Sequence, residues 1–213
     1  MLERTSGERT YGQFCPVATG LDLLGDRWVL LICRELIDAP RGFNEIKRAL
    51  PGLASNLLTT RLRTMTADGL VERVDEGYRL TEEGRTVLPV LRAIARFGVG
   101  ALPAEPPDRL DAVHTARGFL MPWISGRQMP PLVVVHTPDG TSADLITDDG
   151  GARLRERAPA EPPAGPDVVT LHVDPQNLAA VRRGQAAFTG TAQGPEPART
   201  RVLAALALQP RDP

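Results

Sequence analysis

The chain has 213 residues, a formal net charge of −1 and 42% hydrophobic residues. This near-neutral charge excludes a generally basic protein, so any binding of nucleic acid must come from a local patch. Two cysteines exclude a disulfide scaffold and a four-cysteine zinc site, and they fit a reducing compartment. The polar residues 1–13 do not resemble a signal peptide, and the first apolar run, Trp28 to Cys33, is too short to span a bilayer. We therefore expect a cytoplasmic protein without a membrane partner.

Proline usage divides the chain into two parts. Four of the 20 prolines lie in residues 1–102, and the other sixteen lie in the last 111 residues. The segment Pro103 to Asp108 (PAEPPD) is typical of a stiff linker. We therefore predict two domains, residues 1–102 and residues 109–213.

The first domain is predicted to begin with two helices. Cys15 and Pro16 occupy a helix N-cap and its first position, because proline favours that place. The segment Arg27 to Asp38 is apolar nearly all round in its first half and predicts a buried central helix. Pro40-Arg41-Gly42 then breaks the chain.

A helix pair then follows, over Phe43 to Leu50 and Ser55 to Thr66, with Ser55 as the N-cap of the second helix. One side of the second helix is an apolar stripe, and the other side carries polar groups suited to base edges and phosphates. Residues 41–63 hold five basic side chains and one acidic side chain, a local charge of +4. Periodicity alone leaves an ordinary solvated helix pair as an equal alternative. The predicted DNA contacts on the two helices and the preceding turn are Arg41, Asn44, Lys47, Arg48, Ser55, Asn56, Thr59, Thr60, Arg61 and Arg63.

After Gly69 the pattern alternates, which predicts a short β-hairpin over Val71 to Leu80. A further helix is expected from near Thr81 through Phe97, with Thr81 as its cap. Its long apolar stripe requires a partner surface, and a second copy of the chain is the expected partner.

The ordered segments of residues 14–98 resemble the HxlR family of bacterial transcription regulators. The resemblance is carried by Cys15-Pro16, by the turn GDRW and the following LLICRELIDAPRGFNEIKRALPG, by SNLLTTRL, and by DGLVER and YRLTEEGRTVLPVL. It implies a winged helix-turn-helix domain that binds double-stranded operator DNA as a homodimer. Ser55 to Thr66 would be the recognition helix and Val71 to Leu80 the wing. The wing tip, Asp75-Glu76-Gly77, is acidic, so wing contacts are expected from Arg73 and Arg79 instead.

The second domain is predicted to contain a helix over Arg109 to Ile124, four strands and two final helices. The strands are Leu132 to His136, Ser142 to Thr147, Ala152 to Arg157 and Val168 to Val173, and the helices are Gln176 to Arg183 and Pro197 to Leu208. This order resembles the sterol-carrier-protein-like fold. The fold class is therefore a mainly α winged helix-turn-helix domain (α+β) followed by an α+β domain with an antiparallel sheet.

The sterol-carrier resemblance implies an apolar cavity for a small hydrophobic effector. Plain core packing is the alternative for each lining residue, and the domain could instead serve dimerisation. The candidates for this ligand site are Phe119, Leu120, Trp123, Met129, Val133, Val135, Leu145, Leu171 and Phe188.

Chemistry at single residues is confined to one redox candidate. Cys15 is expected at a helix N-terminus, where the helix dipole favours a reactive thiolate. Some HxlR-family members sense oxidants through a cysteine that Cys15 resembles. A structural thiol is an equal alternative. The three histidines show no metal spacing, and no phosphate-binding or nucleophile motif is present, so we expect no metal, no cofactor and no enzyme activity. The strand arginines at 153, 155 and 157 are expected on a solvated sheet face.

The sequence thus predicts a ligand-responsive transcription regulator. The first alternative is a lipid or metabolite carrier, or an accessory protein, whose helix-turn-helix no longer binds DNA. The second is a thiol-based redox-sensing regulator that acts through Cys15.

Overall fold

The computed structural model describes residues 10–103, 110–124, 129–148, 151–158, 165 and 167–207. The chain divides into two compact units, Met1–Leu91 and Arg92–Pro213. The boundary predicted from proline usage lies further along the chain and stays a prediction.

The first unit has the predicted order of helices followed by a hairpin. Its elements are α1 Pro16–Leu24, α2 Val29–Glu35, α3 Phe43–Ala49, α4 Ser55–Ala67, β1 Val71–Val74 and β2 Gly77–Leu80. A 3₁₀ turn, Gly84–Val87, then leads into α5 Leu88–Gly98, whose residues from Arg92 onward belong to the second unit. The predicted central helix is α2, because Ile32 and Cys33 are fully buried in the core of this unit. Around them pack the apolar sides of α3 and α4, together with Leu70, Val71 and Leu80.

Two predicted helix starts differ from the structure. Ala54, one residue before Ser55, is the N-cap of α4, so the prediction of a serine cap was wrong and the first turn of α4 has no side-chain cap. Thr81 does accept a hydrogen bond from the backbone N–H of Gly84, at 2.8 Å. Its hydroxyl therefore bonds the first N–H of a 3₁₀ turn, whose N-cap residue is Glu83, and the α-helix itself begins only at Leu88.

The second unit is a five-stranded sheet with helices. The strands are β3 Leu132–His136, β4 Ser142–Asp148, β5 Gly151–Glu156, β6 Val168–His172 and β7 Thr191–Gln193, in the spatial order β5-β4-β3-β6-β7. The helices are α6 Ala112–Thr115, α7 Met121–Ile124, α8 Pro175–Arg182 and α9 Glu196–Ala207. The predicted antiparallel sheet was wrong in one pairing, since β6 runs parallel to β3. The sheet is therefore mixed, and β7 is a strand that the sequence pattern did not reveal.

The sheet has one apolar face and one largely polar face. Val133, Leu145 and Val169 occupy aligned positions on neighbouring strands, and each is at most 1% exposed. Helices α6 and α9 contact the sheet strands and contribute further buried apolar side chains. Together they form the core of the second unit.

The helix predicted over Arg109 to Ile124 is interrupted. Between α6 and α7 the residues Ala116–Leu120 form a wider, π-type turn. Pro122 lacks the N–H that would continue the α-helical bonds to the preceding turn, which gives a physical reason for the interruption. None of the helices within the described ranges is long and apolar enough to cross a membrane.

Candidate nucleic-acid interface

Helix α4 has a buried side and an exposed side. Leu58, Leu62 and Met65 are at most 1% exposed. Ser55, Asn56, Thr59 and Arg63 lie exposed on the other side of the helix. Because the apolar side is held in the core of the first unit, the orientation of the polar side is fixed.

The polar groups of this exposed side differ in the hydrogen bonds they already make. The hydroxyls of Thr59 and Thr60 donate to the carbonyl oxygens of Ser55 and Asn56, each at 3.0 Å. The Oδ1 of Asn56 accepts from the backbone N–H of Leu57 at 2.8 Å. The two threonines are therefore left as acceptors, and Asn56 retains its amide donors.

The two arginines of α4 are in different environments. The Arg61 side chain is 17% exposed and forms an ion pair with Asp26, in the turn before α2. Arg63 is exposed and makes no ion pair with any described residue. The prediction that both contact DNA stays a prediction, but only Arg63 is presented without a competing carboxylate.

Helix α3 adds further polar groups. Asn44 and Arg48 are exposed, and Lys47 is half-buried. The N-terminus of α3 is closed by Glu45, whose carboxylate accepts from the Gly42 N–H at 2.7 Å. The carboxylate of the only acidic residue in residues 41–63 is therefore hydrogen-bonded to the backbone.

Arg41 has a structural role beside its predicted one. Its Nε donates to the Glu35 carbonyl at 2.7 Å, and one terminal nitrogen lies 3.3 Å from the carboxylate of Asp38. Its backbone N–H and carbonyl also pair with Tyr78 of the hairpin. Arg41 thus links α2 to the wing, and its side chain is only 22% exposed.

The wing is a four-residue pairing of β1 and β2. Arg73 is exposed and lies opposite Tyr78. Arg79 pairs with Glu72 on the neighbouring strand, with its Nε 2.8 Å from the carboxylate. Gly77, at φ +130°, lies so close to the backbone of Arg41 that a Cβ there would come within 2.3 Å of its carbonyl oxygen. This close approach requires glycine at the hairpin turn.

The two cysteines differ in accessibility. Cys15 is half-buried at the N-cap of α1, as the sequence predicts. Burial raises the pKa of the Cys33 thiol to about 12. Cys33 is therefore an unreactive core residue.

The candidate effector residues of the second unit lie in several places. Val133, Val135, Leu145 and Leu171 share the apolar sheet face, and Leu120 is also buried. Phe119, Met129 and Phe188 are half-buried. The side chain of Trp123 lies outside the described residues. These positions fit a packed core, and the ligand role stays a prediction.

The predicted solvated arginine face was wrong at Arg157. Arg153 and Arg155 are exposed, but Arg157 is only 6% exposed and its Nε lies 2.6 Å from the buried carboxylate of Asp144. Arg155 bonds the other oxygen of Asp144. The two arginines thus neutralise a buried acid. Across the described ranges, no group of three or more His, Cys, Asp or Glu residues is placed to hold a metal ion.

Comparison with known proteins gives several matches, each to part of this chain. A family model described as HxlR-like helix-turn-helix matches residues 23–106. The uncharacterized HTH-type transcriptional regulator YdeP of Bacillus subtilis is 34% identical over 110 residues, which are 48% of this chain and 82% of that protein. The uncharacterized HTH-type transcriptional regulator Rv3095 of Mycobacterium tuberculosis is 36% identical over 148 residues, 66% of this chain and 89% of that protein. The quinone-bound structure of YodB from Bacillus subtilis aligns with a TM-score of 0.38 and 33% identity, over 39% of this chain and 97% of that chain.

Proposed function

Because the chain belongs to the HxlR-like helix-turn-helix family of transcriptional regulators, we propose that it binds double-stranded operator DNA through α4, with support from α3 and the wing. One observation carries this proposal: α4 is held by a fully buried apolar stripe while Asn56 and Arg63 remain exposed on its other side. Such a helix, with polar side chains fixed toward solvent, suits entry into the major groove.

The charge distribution also supports DNA binding. The whole chain is slightly acidic, but residues 41–63 carry five basic groups and one acid. The acid, Glu45, is bound to a backbone N–H, and Arg61 is paired with Asp26. Phosphate contacts would then come from Lys47 and Arg48, and base contacts from Asn56 and Arg63.

We propose that the regulator acts as a homodimer. Helix α1 and the short segment before it expose Phe14, Val17 and Leu21, and α5 exposes Val90, Ile94 and Phe97. Phe14 and Phe97 are among the most exposed large apolar side chains of the described residues. Apolar faces of this kind mark association surfaces, and two copies of α4 would be needed to read a two-fold operator.

The test is fluorescence anisotropy with DNA from upstream of the neighbouring genes. Arg63→Ala should weaken operator binding by about fivefold or more, since a bidentate arginine contact is worth about 1–3 kcal/mol. Arg201→Ala, which removes an exposed arginine of α9, is the matched control and should leave affinity unchanged. Full binding by Arg63→Ala would contradict the proposed reading face. If the chain is instead a carrier or an accessory protein, no variant should show salt-dependent binding to DNA.

The dimer is tested separately by sedimentation equilibrium. Ile94→Glu places a charge in the exposed apolar stripe of α5 and should raise the dimer dissociation constant. Arg96→Glu, on the opposite side of the same helix, is the control for a changed charge. Equal dimer dissociation constants for Ile94→Glu and Arg96→Glu would exclude α5 as the interface.

A further inference from the structure

A row of polar side chains crosses one end of the sheet in the second unit. The strand register aligns Ser142, His136, His172 and Thr191 on the neighbouring strands β4, β3, β6 and β7. Residues paired in this way point to the same face of a sheet. The rings of His136 and His172 are stacked, with centroids 4.7 Å apart and planes inclined by 20°. His136 Nδ1 lies 2.7 Å from the hydroxyl of Ser142.

A cleft lies at the end of this row. Strands β3 and β6 are parallel and both end at their histidine, so the loops that follow them meet at the same sheet edge. Ligands of sheets with parallel strands commonly bind outside the carboxyl ends of those strands. The cleft has a volume of about 320 Å³, within the range of small-molecule sites. Its lining includes His136, His172, Asp174, Thr189, Gly190 and Thr191.

The outer wall of the cleft is a loop held by hydrogen bonds from Asn177. Asn177 of α8 donates to the carbonyl of Ala187 and accepts from the N–H of Thr189, each at 3.0 Å. Gly190 lies against β6, and a Cβ there would come within 2.3 Å of the His172 carbonyl oxygen. The wall is therefore fixed at both ends, which lowers the entropy lost when a ligand binds.

The lining chemistry restricts the ligand. The strand neighbour of His172 on the outer side is Thr191, a short side chain that leaves room beside the exposed imidazole. Asp174 carries the only permanent charge among the described lining residues, and one of its oxygens accepts from the Gln176 N–H. Threonine hydroxyls supply further hydrogen bonds. A flat ring could extend the stacked pair, and a donor on that ring could reach the carboxylate.

We propose that this cleft binds a small planar heteroaromatic compound that carries a hydrogen-bond donor, stacked on His172 and held by Asp174. The ligand would be the effector of the regulator, a consequence that rests on the proposed function. The binding itself does not depend on DNA. None of the described hydrophobic residues expected to line an effector cavity is among the residues that line this cleft.

The test uses the full chain with ¹³C-labelled histidine and adenine as the probe. Titration should shift the ring signals of His172 and His136 with a dissociation constant of about millimolar, as expected for a fragment-sized ligand. The ring signal of His114, which lies outside the cleft on α6, should not move. Cyclohexanol is neutral, has a donor but no flat ring, and should leave all three signals in place.

Two variants remove the site in different ways. His172→Ala removes the stacking surface at an exposed position and should weaken adenine binding by about fivefold or more. Thr191→Trp keeps the histidines and fills the vacant position beside them, so it should also weaken binding. His114→Ala is the matched control and should bind as the wild type does. Unmoved His172 signals at saturating adenine, or equal affinity in His172→Ala and His114→Ala, would overturn the proposal. These measurements contain no DNA, so their failure is distinct from failure of operator binding.

Discussion

Arg182 offers the sharpest stability prediction. It is the last residue of α8, it is fully buried, and its guanidinium donates to the carbonyl oxygens of Phe119, Ala205 and Leu206 at 2.9–3.2 Å. It thereby joins the π-type turn to the end of α9. Replacing it with methionine keeps much of the side-chain volume but removes every donor.

The magnitude follows from two opposing effects. Three carbonyls that lose this donor, two of them buried and that of Phe119 half-buried, cost about 6 kcal/mol at about 2 kcal/mol each. Burial also disfavours the charged guanidinium, and it lowers the pKa of Arg182 from 12.5 to about 10. That lowering corresponds to about 3 kcal/mol, which Arg182→Met recovers. The expected net loss of unfolding free energy is therefore about 3 kcal/mol.

Arg183 is the matched control for this experiment. Its guanidinium also donates to three carbonyls, those of Val99, Leu102 and Pro103, but the side chain is half-exposed. Water can replace those bonds, so Arg183→Met should cost about 1 kcal/mol or less. Hydrogen exchange of the β3 amides should accelerate by about a hundredfold in Arg182→Met, if these amides exchange by opening of the unit. Equal exchange in the two variants would refute the argument that burial decides the cost.

Three further predictions concern the wing, the thiols and pH. Arg73→Ala should weaken operator binding and lower the slope of log affinity against log salt concentration by about 1. Arg79→Ala should have the smaller effect, because the carboxylate of Glu72 already competes with DNA for this side chain. Anisotropy at several salt concentrations measures both effects, and if neither variant loses affinity, the wing is not part of the interface. A thiol reagent should modify Cys15 much faster than Cys33, because burial raises the pKa of Cys33 to about 12, and Cys15→Ser should abolish any oxidant response while leaving DNA binding intact. Burial and the neighbouring imidazole and guanidinium groups lower the pKa of His136 below 6.5. As the pH drops below about 6.5, the unfolded chain therefore binds this proton before the folded chain does, and the free energy of unfolding should fall. His136→Asn should flatten that fall in thermal melts between about pH 5 and 7.5, and an unchanged profile would contradict the assignment.

The first unit was largely predictable because its signals are local. Helical periodicity, the alternation after Gly69 and the Pro-Gly turn each act within a few residues. The predicted N-cap of α4 was one residue too late. The sequence rule recognises a serine near a helix start but does not distinguish the N-cap from the first helical position. The ion pair of Arg61 with Asp26 joins distant parts of the chain, so no local pattern could reveal it.

The second unit was predicted less well because its defining contacts are non-local. The pattern of β6 shows a strand but carries no information on its direction beside β3. Arg182 looks like an ordinary surface residue in the sequence, since arginine is seldom buried without a carboxylate. The two histidines of the cleft appear scattered along the chain, and only the parallel register brings them together.

The hydrogen bonds within α4 limit how the helix could read DNA. A helix side with two threonines, an asparagine and an arginine offers many donors when it is read from the sequence. In the folded chain the Thr59 and Thr60 hydroxyls donate to their own helix, so among these four residues the available donors lie on Asn56 and Arg63. These residues are seven positions apart, about 10 Å along a helix, which matches about three base-pair steps. Asparagine suits adenine and arginine suits guanine, so recognition would rest on two well-separated base pairs in each half-site.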